Sequence, residues 1–144
     1  MKIGLSQRVL YHKDRAYDSI EQSWYQYLEG HTLTLVPNRT DQDFRQLADT
    51  LDALIITGGD DSALRRVVEL KLATQMMIRC KPIIGICHGC FLLTNTLGGI
   101  VDETEGHSNG VLHNVKYNNE NYLVNSYHGL YIVEPHKTAT VLAV

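Results

Sequence analysis

Lys81-Pro82-Ile83-Ile84-Gly85-Ile86-Cys87-His88-Gly89 runs a short apolar strand into a cysteine with a glycine two residues before it and another two residues after it. A nucleophile on a sharp strand-to-helix turn needs that frame, because the backbone doubles back and a Cβ at either flanking position would meet the neighbouring strand. The turn pushes the thiol out of the sheet. The following segment, Cys90 to Leu97 before Gly98-Gly99, has helical spacing. Cys87 is therefore expected at a helix N-terminus, where backbone N–H groups and the helix dipole favour thiolate.

Upstream of this turn, strands and helices alternate. Lys2 to Leu5 reads as a first strand, followed by a polar loop. Ile20, Trp24, Tyr27 and Leu28 then mark one face of a helix, with Asp18 and Glu21 as a capping box and Gly30 as its stop. Thr32 to Val36 is the next strand, closed by Pro37. Phe44, Leu47, Ala48 and Leu51 give a second helix with Thr40 as its N-cap. Leu54 to Thr57 reads as a buried strand, and Leu64, Val68, Leu72 and Met76 set a third helix at four-residue steps before the strand Pro82 to Ile86. Continuous apolar strands alternating with helices predict an α/β fold: a doubly wound, mainly parallel, flavodoxin-like sheet covered on both faces.

Beyond Gly99 the pattern changes. The stretch Gly106 to Gly129 is rich in Asn, His and Gly, with strand-like pieces at Val111 to Tyr117, Tyr122 to Val124 and Tyr131 to Val133. These are expected to form a small antiparallel ribbon at the carboxyl edge of the sheet. With no repeat or linker, residues 1–144 read as a single domain. Thr138 to Val144 reads as a final strand with nothing capping it, so the chain is expected to be truncated at its C-terminus.

Bulk properties narrow the function. The 144 residues, 44% apolar, suffice for one core. A formal charge of −3 without a basic stripe gives no sign of a nucleic-acid footprint or a membrane surface, so a small soluble substrate is expected. No signal peptide and no apolar run near the roughly 20 residues of a membrane span is visible. Cys80, Cys87 and Cys90 suit a reducing compartment better than a disulfide framework, which places the chain in the cytoplasm. No residue pattern requires a metal or an organic cofactor.

Thr57-Gly58-Gly59-Asp60-Asp61 is the second site-forming signal. Strand ends at the carboxyl edge of a parallel sheet are where ligands bind, and glycines there let backbone N–H groups approach a substrate oxygen. This loop can make half of an oxyanion hole, with the backbone N–H of His88 as the other half. Its plainer reading is a tight turn with Asp60 or Asp61 as the N-cap of the next helix.

Taken together, the Gly-Gly-Asp loop, the Lys81–Gly89 turn, Leu97-Gly98-Gly99, the stretch Trp24 to Pro37 and Val124-Asn125-Ser126-Tyr127-His128-Gly129 resemble class I glutamine amidotransferases. The resemblance is strongest to their stand-alone γ-glutamyl hydrolase branch, which includes γ-glutamyl-GABA hydrolase. It implies hydrolysis of a γ-glutamyl amide, in glutamine or a conjugate, through a thioester, acting alone or supplying ammonia to a synthase. Cys87 would be the nucleophile. Gly59, or alternatively Gly58, would donate to the oxyanion together with His88. Ser126, Tyr127 and His128 would line the substrate site. The family's His-Pro-Glu run is absent from this sequence, and His136, in Glu134-Pro135-His136-Lys137, has the right composition in the wrong order. Phe91 stands where the family commonly has a substrate-holding glutamine, which puts the choice of γ-glutamyl compound in question.

Other readings stay open. Cys87-His88-Gly89-Cys90 is also a Cys-x-x-Cys motif, the setting of a thiol–disulfide protein, although that reading leaves the Gly-Gly loop unused. A zinc site has no second Cys or His pair at suitable spacing. The absent dyad and Phe91 also suit a catalytically inactive, amidotransferase-like binding protein. Cys90 is expected as a small buried residue and Cys80 as a helix-end core residue. His107 and His113 are candidates for substrate contact.

Overall fold

The computed structural model describes residues 1–107 and 109–143, which form two compact units, one spanning Met1–Leu92 and the other beginning at Leu93. In the first unit the chain runs β1 (Lys2–Ser6), β2 (Arg8–His12), β3 (Arg15–Ser19), α1 (Ser23–Tyr27), β4 (Thr32–Val36), α2 (Phe44–Thr50), β5 (Ala53–Ile56), α3 (Ala63–Ile78) and β6 (Ile83–Gly85), and then enters α4 (His88–Thr96).

The central sheet is parallel in the order β4-β1-β5-β6. Counting only these four strands along the chain, the order is second, first, third, fourth, which is flavodoxin-like winding. Strand alternation sorts the core. Ile3, Leu5 and Ile55 form a cluster that Ile20, Trp24, Leu28 and Leu33 pack against. Leu54 and Ile56, one residue out of phase with Ile55, face the opposite side of the sheet. There Leu51 crowds the strand so closely that a Cβ on Gly4 would lie 2.6 Å from its Cδ1. Helix α3 packs on β5, β6 and α2, with Val68, Leu72, Ala73 and Met76 buried. Truncating any one of these large apolar side chains to alanine is expected to cost about 2–5 kcal/mol.

Several local expectations are corrected. The polar loop after β1 is an antiparallel hairpin, β2–β3, closed by the two-residue turn Lys13-Asp14 with Lys13 at φ 54°. Asp18 therefore lies in a strand and caps no helix. Its carboxylate accepts from the Asn38 backbone N–H at 2.9 Å and from Asn38 Nδ2 at 2.7 Å. Helix α1 is only five residues long, and Tyr27 points to solvent. The N-cap of α2 is Asp43, not Thr40, because Asp43 Oδ1 accepts from the backbone of Arg45 and Gln46. Ser62, rather than Asp60 or Asp61, caps α3.

Cys80 is exposed and not part of the core. It ends α3 in the left-handed region, φ 52°, with its N–H bonded to Met77 O and the Lys81 N–H to Met76 O. That is the Schellman arrangement, in which glycine is the usual occupant of the position Cys80 holds.

The second unit contains the rest of α4 and two antiparallel pairs. β7 (Ile100–Glu103) pairs with β10 (Leu130–Glu134), and β8 (Val111–Tyr117) pairs with β9 (Glu120–Ser126). The expected C-terminal strand is not formed over residues 138–142. Only an isolated bridge joins Ala143 to Tyr117, and Val144 lies outside the described residues. No described helix is long and apolar enough to cross a membrane.

Candidate active site

The turn from β6 to α4 is sterically closed. Ile86 N–H bonds to Ile56 O at 3.0 Å, and the chain then reverses through Cys87, whose φ of 50° lies in the left-handed region that non-glycine residues seldom occupy. A Cβ on Gly85 would strike the backbone of Gly89 and Cys90, and one on Gly89 would strike Ile56 O. Both glycines are thus required for β6 and α4 to come this close. Phe91 N–H bonds to Cys87 O at 3.1 Å, which makes Cys87 the residue that opens the helix. The His88 N–H is among the first of α4, amides for which the helix has no carbonyl. The Cys87 side chain is exposed.

The Gly-Gly loop lies against this turn, and a Cβ on Gly58 would sit 3.3 Å from Cys87 Cβ. Its conformation is held from beneath by Arg65, whose side chain is fully buried. Arg65 Nη2 donates to Thr57 O at 2.5 Å, and Nη1 donates to Asp60 O at 2.9 Å and Gly58 O at 3.3 Å. Arg8 Nε donates to the same Gly58 carbonyl at 3.1 Å. In a trans peptide the carbonyl and the following N–H point opposite ways. With Gly58 O drawn to two guanidiniums, the Gly59 N–H faces away from them. Gly59 is at φ 99°, and the Arg8 side chain fills the place its Cβ would take.

Arg65 continues into a buried polar chain. Its Nε donates to Glu69 Oε1 at 2.8 Å, and Glu69 Oε2 lies 2.7 Å from His88 Nε2. Exposure falls from 10% at His88 to 1% at Glu69 and 0% at Arg65. Burial pushes the Glu69 carboxyl up, but hydrogen bonds from His88 and Ser6 and the charge of Arg65 outweigh it and hold the group below the usual carboxylate range. Ser6 at the end of β1 also accepts from the Thr57 N–H at 3.0 Å. The loop, the helix start and the ends of β1 and β5 are therefore wired to one carboxylate. Sheet order reverses between β1 and β5, the topological switch point at which open α/β sheets bind ligands.

Of the residues singled out from sequence, Cys87, Gly58, Gly59 and His88 are brought together in the first unit, and Phe91 is half-buried in the first turn of α4. Cys90 is half-buried as well, not fully so. Ser126, Tyr127 and His128 belong to the second unit. There Ser126 is buried, Tyr127 is exposed with its hydroxyl against Gly110, and the His128 N–H bonds to His107 O at 2.9 Å. Sequence reading missed Arg65 and Glu69. Their signal was available: both fall on the stripe of α3 that continues through Leu72 and Met76, where a charge has no solvent to face.

The family profile Glutamine amidotransferase class-I matches residues 14–143. A pyridoxal 5′-phosphate synthase subunit PdxT from Shouchella clausii is 38% identical over 66 residues, covering 43% of this chain and 32% of the relative. The chain thus spans about a third of that protein's length. A glutamine amidotransferase from Thermotoga maritima superposes with a TM-score of 0.70 at 13% identity, over 99% of this chain and 66% of the other. The glutaminase domain of Trypanosoma brucei CTPS with bound acivicin does so with a TM-score of 0.60 at 12% identity, over 91% and 67%. These two structural likenesses establish the shared α/β fold.

Proposed function

This chain belongs to the class I glutamine amidotransferase family, and from that premise we propose that it cleaves a γ-glutamyl amide, in glutamine or a γ-glutamyl conjugate, with Cys87 as nucleophile. Cys87 Sγ attacks the side-chain carbonyl, the amine or ammonia leaves with a proton, and water releases glutamate from the thioester. The Gly59 and His88 N–H groups receive the negative oxygen of the tetrahedral intermediate. Glu69 and Arg65 position those two donors without touching substrate. The observation that carries this reading is the left-handed backbone of an exposed Cys87 at the start of α4, with the Gly58-Gly59 loop against it.

Phe91, Ser126, Tyr127 and His128 are assigned substrate contact on the family resemblance alone. A ring at Phe91 offers no hydrogen bond to the glutamyl group, so recognition of that group falls to other contacts, whether the substrate is glutamine or a γ-glutamyl conjugate. The family resemblance also supports an ammonia-accepting synthase as partner if glutamine is the substrate.

Acivicin, the ligand carried by the trypanosomal glutaminase domain, is the test reagent. Incubation should add one acivicin-derived mass, mapped by peptide digestion to Cys87, and Cys87→Ala should abolish it. Modification spread evenly over Cys80, Cys87 and Cys90 would remove the basis for a tuned nucleophile.

A further inference from the structure

We infer that His107, His113 and His128 form a binding site for a divalent transition-metal ion such as zinc, independent of the thiol chemistry above. Each offers one ligand atom, and the three atoms lie within 4.8 Å of one another. The residues come from the loop after β7, from β8 and from the loop after β9, so no sequence spacing reveals them. The rings are close: His107 lies 4.6 Å from His113 and 5.1 Å from His128, centroid to centroid.

The scaffold around the three rings is tied by backbone. His128 N–H bonds to His107 O and Gly110 N–H to Ser126 O, both at 2.9 Å. In the β8–β9 register Val111 faces Ser126 and His113 faces Val124, so His113 and Ser126 share one face of the ribbon.

Outer partners orient two of the rings as metal-binding imidazoles are oriented. His128 Nδ1–H donates to Leu130 O at 2.8 Å, which sets the orientation of that ring. Buried Ser126 Oγ lies 3.4 Å from His107 Nδ1 and can accept a hydrogen bond from that ring's N–H.

Zinc–nitrogen bonds of about 2.0–2.1 Å in a tetrahedral site set the nitrogens about 3.4 Å apart. Closing from 4.8 Å to that spacing asks each ligand atom to move by roughly 1 Å toward a common centre. Three histidines leave a fourth position for water or an exogenous ligand.

The test is calorimetric titration of zinc into untagged protein carrying Cys80→Ser, Cys87→Ser and Cys90→Ser, which removes competing thiolates. One equivalent should bind. His107→Ala, His113→Ala and His128→Ala should each weaken binding by more than the roughly 10–100-fold that losing an outer partner costs, with far-ultraviolet circular dichroism unchanged. Cobalt substitution should give an absorption spectrum of nitrogen ligation without thiolate charge-transfer bands. No binding at about a thousandfold excess over a micromolar dissociation constant, or binding that survives all three substitutions, would overturn the site. Zinc bound only when the cysteines are restored would also overturn it.

Discussion

Glu69 Oε2 lies 2.7 Å from His88 Nε2, joining the middle of α3 to the first residue of α4 through a carboxylate that is only 1% exposed. The same carboxylate holds Arg65, and Arg65 holds the carbonyls of Thr57, Gly58 and Asp60. The two proposed oxyanion donors, one in each loop, are thus set by a single buried group. Side chains at the network's edge, such as exposed Asp61 near His88 Nδ1 at 3.9 Å, add little to it.

Glu69→Ala is expected to lower unfolding free energy by about 3–5 kcal/mol at pH 7, because it leaves the buried Arg65 guanidinium without its counter-charge. Urea denaturation of the two proteins checks this.

The pH dependence of the same pair has a definite sign. The folded state holds the Glu69 carboxyl below its ordinary value of 4.5, so the ionised form is the stabilising one. Its contribution is present above that value and is lost as pH falls through the lower folded value. The stability gap between wild type and Glu69→Gln should be widest near neutral pH and should narrow in acid. A gap that widens on acidification would reverse the assignment.

Gly89→Ala should destabilise more than Gly98→Ala. The first drives a Cβ into Ile56 O and demands a shift of backbone, at about 1–3 kcal/mol. Gly98 has open space around it and carries only the cost of φ 89°, about 1–2 kcal/mol. Thermal melts of the two variants under identical conditions give the comparison.

Cys80→Gly should stabilise the protein by about 1 kcal/mol, by relieving a left-handed residue at the end of α3 while keeping both terminal hydrogen bonds. A lower melting temperature for this variant would show that the thiol makes a contact that outweighs the strain.

The parallel sheet was readable because Leu54-Ile55-Ile56 and Ile83-Ile84 are short apolar runs placed between helical periods, a pattern few other architectures produce. The β2–β3 hairpin was not. Arg8 to His12 and Arg15 to Ser19 do not alternate cleanly, and their turn, Lys13-Asp14, lacks the glycine that normally marks a two-residue hairpin. β7 has only two apolar residues, and its pairing with β10 is set by contacts about thirty positions away. Thr138 to Leu142 has strand-like composition, but composition does not supply a pairing partner. At the site, the glycine frame around Cys87 announced itself locally. Arg65 and Glu69 were legible only through their place on the apolar stripe of α3 that runs on through Leu72 and Met76, because charges on a helix ordinarily face water. The histidine trio joins positions 107, 113 and 128, which adjacency in space alone relates.

Formation of a thioester on Cys87 is the step on which the account rests. The most direct measurement is intact mass after brief exposure to γ-glutamyl compounds, with acid quench and peptide mapping. The account predicts a γ-glutamyl adduct on Cys87 that forms in wild type and in Cys90→Ala and is absent from Cys87→Ala. An adduct that needs Cys90 as much as Cys87, or a protein that stays unmodified while acivicin labels its three thiols alike, would contradict it.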